Sequence, residues 1–281
     1  MITPLTPAEL RAWPLPDRRG SKDERGGVLV IGGARPTPGA VLLAGLAALR
    51  IGAGRLSVAV AESVAPACAA QFPEAGVLSL PQSPEGSPTG ADAAGMTQEL
   101  SRADAVIVGP GLDEPQGAEA LLSTVLATAG DTAVLIDAFA LGVLPGMAVT
   151  LPERTVLTPN LTEAARLLDR DEADPEDAAV LVAERYGTVV SCAGIIAHPD
   201  GRQWATASGH PGLGTSGSGD VLSGAIGGLL AGGCTPEQAA CWGTALHATA
   251  GDRLAARIGP LGFLARELTE EFPGLLVEFG G

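Results

Sequence analysis

The chain has 281 residues, 46% of them hydrophobic and only 3% aromatic, and carries a formal net charge of -15. That length supports a full core without disulfide or metal staples, the scarcity of aromatics argues against a stacking platform for single-stranded nucleic acid, and the negative charge argues against nucleic acid or an anionic membrane as partner. Residues 1–7 show no basic start followed by an apolar stretch, no run of eighteen apolar residues occurs, and Cys68, Cys192, Cys234 and Cys241 form no Cys-x-x-Cys pair, so the expectation is a cytoplasmic protein with buried reduced thiols and no structural zinc.

Residues 28–31 are an unbroken apolar run ending in Gly32-Gly33 and read as a strand buried on both faces. Pro38-Gly39 opens a small-residue helix over 40–51, and the next strand covers 55–61. Residues 81–95, rich in Pro, Ser, Gly and Asp, read as a mobile surface loop. Strand 105–108 runs into Gly109-Pro110-Gly111, and strand 133–136 ends at Asp137. Strand 155–157 ends at Thr158-Pro159-Asn160 and is followed by a helix over 162–168. Residues 188–191 and 195–197 are two further candidate strands, with a turn at Pro199-Asp200-Gly201. Beyond Asp220 the pattern is helical almost to the end, with helices over 221–231 and, opened by Pro236, over 237–258.

Strands alternating with helices predict an α/β protein with a mostly parallel sheet covered on both faces. No internal repeat is seen, so residues 1–281 are taken as a single domain. Gly, Pro or Asp recurs at the strand ends, where open α/β sheets bind their ligands.

The most chemically pointed segment is His210-Pro-Gly-Leu-Gly-Thr-Ser-Gly-Ser-Gly-Asp220, directly ahead of an apolar helix. Glycines let the backbone approach a ligand closely, and a helix start aims unpaired N–H groups at the same point, which makes an anion site. An aspartate at its tip adds a base and points to phosphoryl transfer onto a hydroxyl, although Asp is also a favoured helix cap. Gly212-x-Gly214-x-x-Gly217 formally matches a dinucleotide fingerprint, but a helix follows a helix with no second strand, so a Rossmann unit is not expected. No Gly-Lys-[Ser/Thr] exists for a phosphate loop of that type. His247, inside the last long helix, reads as a packed or capping residue.

Several ordered motifs together resemble the ADP/ATP-dependent NAD(P)H-hydrate dehydratase family, ribokinase-like proteins that repair damaged nicotinamide cofactors. They are residues 28–33 with Thr37-Pro-Gly-Ala40, residues 48–54, Gly109-Pro-Gly-Leu112, Ile136-Asp-Ala138, Leu157-Thr-Pro159 with Glu163, residues 214–224, and His247 with Ala250-Gly-Asp252. The resemblance implies a ribokinase-like three-layer sandwich. It implies dehydration of hydrated NADH or NADPH through phosphorylation of the C6 hydroxyl and elimination of phosphate, with ADP or ATP as donor and Mg²⁺ as helper. Asp220 would be the general base. Ala40, Gly111, Asn160 and Asp220 would contact the hydrated cofactor, and Ser191, Cys192, Ala193, Gly194, Gly217, Ser218 and Gly219 the nucleotide; no metal ligand is assigned. A homo-oligomer is compatible with this reading.

The chain departs from the family pattern at three places: Asn160 replaces a histidine, Ser191-Cys192-Ala193-Gly194 stands where Lys-Gly is usual, and Phe139 replaces an aspartate. Two rivals therefore stand beside the dehydratase: a small-molecule kinase of the same fold, and a catalytically silent nucleotide-binding paralogue.

Overall fold

The computed structural model describes residues 2–17, 19–91 and 94–280. Its ten strands are β1 (Ile2–Pro4), β2 (Gly27–Ile31), β3 (Arg55–Ala61), β4 (Gly76–Leu80), β5 (Ala105–Val108), β6 (Ala133–Ile136), β7 (Thr155–Leu157), β8 (Val189–Cys192), β9 (Ile195–Ala197) and β10 (Gln203–Ala205). They join one sheet in the order β1-β10-β9-β8-β7-β6-β5-β2-β3-β4. Only β9 runs antiparallel to its neighbours.

The helices are α1 (Pro7–Ala12), α2 (Gly39–Arg50), α3 (Ala65–Gln71), α4 (Ala94–Leu100), α5 (Pro115–Thr128), α6 (Leu161–Leu168), α7 (Ala178–Tyr186), α8 (Ser218–Ala231), α9 (Pro236–Arg257) and α10 (Ala265–Phe279). Strand side chains alternate between faces. Val28 and Val30 enter a core with α2, α8, α9 and α10, while Leu29 and Ile31 enter a second core with α5, α6 and α7. The central strands are wholly buried, which is why they read as continuous apolar runs.

The chain builds β2, β3 and β4 outward, then returns to place β5 on the other side of β2. The connections leaving β2 and β5 thus diverge in opposite directions, and a ligand crevice is expected above that switch point. On one face α8 lies against α2 through glycine: a Cβ on Gly224 would run into the Ala44 backbone, and one on Gly228 would lie 3.0 Å from the Ala48 Cα. The absence of a side chain lets the two helices close up.

Three expectations are corrected. The helix after the glycine loop starts at Ser218 rather than residue 221, with Gly217 as N-cap in the left-handed region (φ +87°). Asp220 therefore lies inside the first turn and is not the cap. The stretch 81–95 is not simply a surface loop: Ser87 is buried, Ser83 N–H donates to the Ser87 carbonyl, and Arg35 N–H donates to Gly86. Asp92 and Ala93 of that stretch lie outside the described residues. The candidate strand 188–191 shifts by one residue, and Ala193-Gly194, both at positive φ, close a two-residue hairpin between β8 and β9, the geometry such loops favour. The four cysteines are buried thiols outside any disulfide, as expected.

Candidate active site

The functional end of the sheet lies above the C-terminal ends of β2, β5, β6, β7 and β8. At the switch point the loops after β2 and β5 are tied together: Gly33 N–H donates to Pro110 (2.9 Å), Ala34 N–H to Gly111 (2.8 Å) and the Thr37 hydroxyl to Gly111 (2.9 Å). Gly111 has φ +70°, and a Cβ there would strike the Thr37 carbonyl and lie 3.1 Å from the Ala40 Cβ. Ala40 is the second residue of α2, whose start has no side-chain cap and no acidic residue in its first turn. The Gly224–Ala44 and Gly228–Ala48 contacts set the two helices in parallel register, so that Ala40 and Asp220 each lie one turn nearer the helix start than the Ala44–Gly224 contact. The structure brings Gly111 against Ala40 and packs the helix that carries Asp220 on α2.

Asp220 is partly buried, and burial pushes its pKa up to about 6. Behind it Asp137 is 4% exposed. Burial, and then the negative charges of Asp220 and Glu163, push the Asp137 carboxyl up to about 7, against the hydrogen bond from Thr158. The Thr158 hydroxyl donates to Asp137 Oδ1 at 2.7 Å, and the Ser223 hydroxyl donates to the Asp220 carbonyl at 3.0 Å. Ala138, immediately after Asp137, is held at φ +50°, a region a non-glycine residue seldom occupies. Backbone strain of this kind clusters at functional sites.

A cleft of about 540 Å³ adjoins the α8 start. Ser191, Ala193, Gly194, Ser218 and Gly219 line it, with Thr206, Ser208, Leu213, Thr244 and His247. No lysine or arginine is among its lining residues, so a bound anion would meet backbone N–H groups and the helix dipole rather than a charged side chain. Cys192 is buried in the second core with its pKa pushed up to about 12 by burial, so this residue can serve the cleft only through its backbone. Gly217 lies at the edge, with the Asp220 carboxylate over it: a Cβ on Gly217 would be 3.8 Å from Asp220 Oδ2.

Asn160 lines this same cleft, with Ser191 and Gly194. Its Oδ1 accepts the Glu163 N–H (2.9 Å), and Glu163 Oε2 accepts the Asn160 N–H (2.9 Å). The pair is a capping box for α6. Asn160→Leu is therefore expected to lower stability by about 1 kcal/mol through loss of the cap, while Asn160→Asp leaves it nearly unchanged. Thermal melts of the two variants check this directly. Sequence reading missed the Asn-x-x-Glu capping signal, and it missed Thr244, a lone polar residue that only the fold brings to the cleft; Thr158 was read only as part of a strand-end motif.

A mostly parallel sheet, a glycine-led helix start over the strand ends and an aspartate in its first turn define a ribokinase-like α/β protein. A ribokinase-like superfamily protein from Enterococcus faecalis matches with a TM-score of 0.83 at 25% identity, covering 99% of this chain and 96% of that one. Residues 28–274 match the family model described as NAD(P)H-hydrate dehydratase, and the chain belongs to that family. It is 45% identical to an ADP-dependent (S)-NAD(P)H-hydrate dehydratase of Xanthomonas campestris over 98% of this chain and 96% of that protein. A bifunctional NAD(P)H-hydrate repair enzyme of Escherichia coli is 37% identical over 92% of this chain but only 49% of its own length, so the chain spans about half of such bifunctional relatives. The ADP/ATP-dependent NAD(P)H-hydrate dehydratase of Bacillus subtilis, co-crystallised with ATP and Mg²⁺, matches with a TM-score of 0.79 at 28% identity, covering 99% of each chain.

Proposed function

We infer that the chain is an ADP- or ATP-dependent NAD(P)H-hydrate dehydratase, a carbon-oxygen lyase that returns hydrated NADH or NADPH to the reduced cofactor. The observation that supports this reading is the position of Asp220 in the first turn of α8, a helix packed on α2 through Gly224 and Ala44, with Gly219 of the same turn lining the cleft. The nucleotide takes the cleft of Ser191–Gly194 and Gly217–Gly219, and the hydrated ring takes the switch-point crevice.

Asp220 accepts the proton of the C6 hydroxyl as the terminal phosphoryl group of the nucleotide passes to its oxygen. Backbone N–H groups at the α8 start stabilise the charge on the transferred group. The C6–O bond then breaks with its electron pair going to phosphate while the ring nitrogen's lone pair assists, and loss of a C5 proton to water from the resulting iminium ion restores the C5–C6 double bond of the reduced nicotinamide. With ADP the balance is ADP plus hydrate giving AMP, phosphate and NADH. Asn160 spends Oδ1 on its cap and offers a ligand only its amide N–H donors.

Among the described residues no group of three or more His, Cys, Asp or Glu gathers to hold a metal. The donors fit an ion that arrives on the nucleotide phosphates and keeps most of its waters, the habit of Mg²⁺. Mg²⁺ would offset the phosphate charge that the missing lysine leaves uncompensated. The whole chain, 1–281, works as one domain in this reading, in the cytoplasm where NADH, NADPH and adenine nucleotides turn over.

The test is incubation with hydrated NADH, Mg²⁺ and ADP or ATP, following the reduced-nicotinamide absorbance. Its return, with one phosphate released per NADH restored, is the expected result. A phosphorylated product without restored absorbance would favour a kinase, and nucleotide binding without turnover a silent paralogue.

A further inference from the structure

α9 is buried along most of its length, and its middle is packed with Ala, Gly, Leu and Trp242. Two polar residues interrupt that middle, Thr244 and His247, 5% and 7% exposed. Three residues apart, they share one face of the helix. The Thr244 hydroxyl pairs with the Ser191 hydroxyl at 2.8 Å. His247 Nε2 lies 3.0 Å from both the hydroxyl and the carbonyl oxygen of Ser218. All four residues line the cleft beside the α8 start. Buried polar groups are costly unless bonded, and packing alone would be served as well by apolar side chains. Their bonds instead reach the two walls of the cleft, the strand that enters the Ala193-Gly194 hairpin and the first residue of α8.

We propose that Thr244 and His247 are positioning residues for the adenine nucleotide: through Ser191 and Ser218 they hold the β8 wall and the α8 start at a fixed separation and aim the Ser218 hydroxyl at a phosphate. This rests on the assignment of the cleft to the nucleotide made above. A carbonyl oxygen only accepts, so Nε2 carries a proton and donates it toward Ser218. The Ser218 oxygen takes a share of that donor, which leaves its own O–H hydrogen for an acceptor in the cleft. Burial holds the His247 pKa down to about 4, so the ring is neutral at working pH and adds position without charge.

The experiment uses the full chain. Binding of ADP with Mg²⁺ is measured by calorimetry, binding of NADH separately, and unfolding by thermal melt. For His247→Ala the dissociation constant for ADP is expected to rise about tenfold to hundredfold while that for NADH stays within about twofold. Glutamine places an N–H donor near the Nε2 position, so His247→Gln is expected to recover ADP binding to within about threefold of wild type. Thr244→Val, which keeps the shape and strands the Ser191 hydroxyl, is expected to weaken ADP about threefold to tenfold. Unchanged ADP binding in His247→Ala and Thr244→Val overturns the proposal. So does equal weakening of ADP and NADH in all three variants with a parallel fall in melting temperature, the mark of a merely structural role. A wild type that binds neither ADP nor ATP overturns the nucleotide assignment itself, and this proposal with it.

Discussion

Asp220→Asn is expected to lower turnover by about 10²–10⁴ while leaving the ADP dissociation constant nearly unchanged. Asparagine keeps the shape but accepts no proton at neutral pH. Since Gly217, not Asp220, is the N-cap and α8 has no side-chain capping bond, the substitution removes no helix cap. The pH dependence gives a second readout. Burial pushes the Asp220 carboxyl up to about 6, and a base must be ionised to act, so wild-type turnover should climb as pH rises through about 6. That limb should vanish from the residual activity of Asp220→Asn.

Stability should move the other way. A carboxyl whose folded pKa lies above its unfolded value of about 3.9 favours the folded state fully below pH 4. That contribution is lost as pH rises through the folded pKa. Wild type and Asp220→Asn should thus melt alike near pH 4, and the variant should be the more stable at pH 8, by about 1–3 kcal/mol. Asp137, pushed up to about 7, adds a slope of the same sign that persists in both proteins. A variant less stable than wild type at pH 8, or turnover near wild type, would show that Asp220 is structural.

Gly111→Ala is expected to impair binding at the switch point, where the proposed function puts the dinucleotide, and to spare the cleft it assigns to the nucleotide. Its φ of +70° is strained for alanine, and the added Cβ would meet the Thr37 carbonyl, a backbone atom that cannot swing aside. The loop must shift, and with it the ties between Gly111, Ala34 and Thr37. Affinity for NADH, as a stand-in for its hydrate, should fall by about tenfold or more, with a stability loss of about 1–3 kcal/mol. ADP affinity should stay within about twofold, because Gly111 does not line the cleft of Ser191 and Ser218. Titration of each ligand into the variant decides the matter. Equal losses for both would mean that crevice and cleft are one site.

The central strands were legible because burial on both faces leaves a continuous apolar run: 28–31, 55–61, 105–108, 133–136 and 155–157 match the observed strands to within one residue. β4, β10 and β1 were not named. They lie at or near the edges of the sheet with mixed or exposed faces, so their sequences carry no such run. The glycine loop, its helix and Asp220 were legible as well, since positive φ and close approach demand glycine whatever the rest of the chain does. Tertiary structure alone decided which strand ends meet. The return of the chain past β2 set Gly111 against Ala40, and the glycine face of α8 packed the helix that carries Asp220 onto α2. It placed Asn160 in the cleft beside Ser191 and Ser218 with its Oδ1 already spent on a cap. It also turned two polar residues of an apolar helix, Thr244 and His247, toward Ser191 and Ser218, 53 and 29 residues away. Local sequence encodes backbone demands and burial, whereas pairings across such separations exist only once the sheet has ordered its strands.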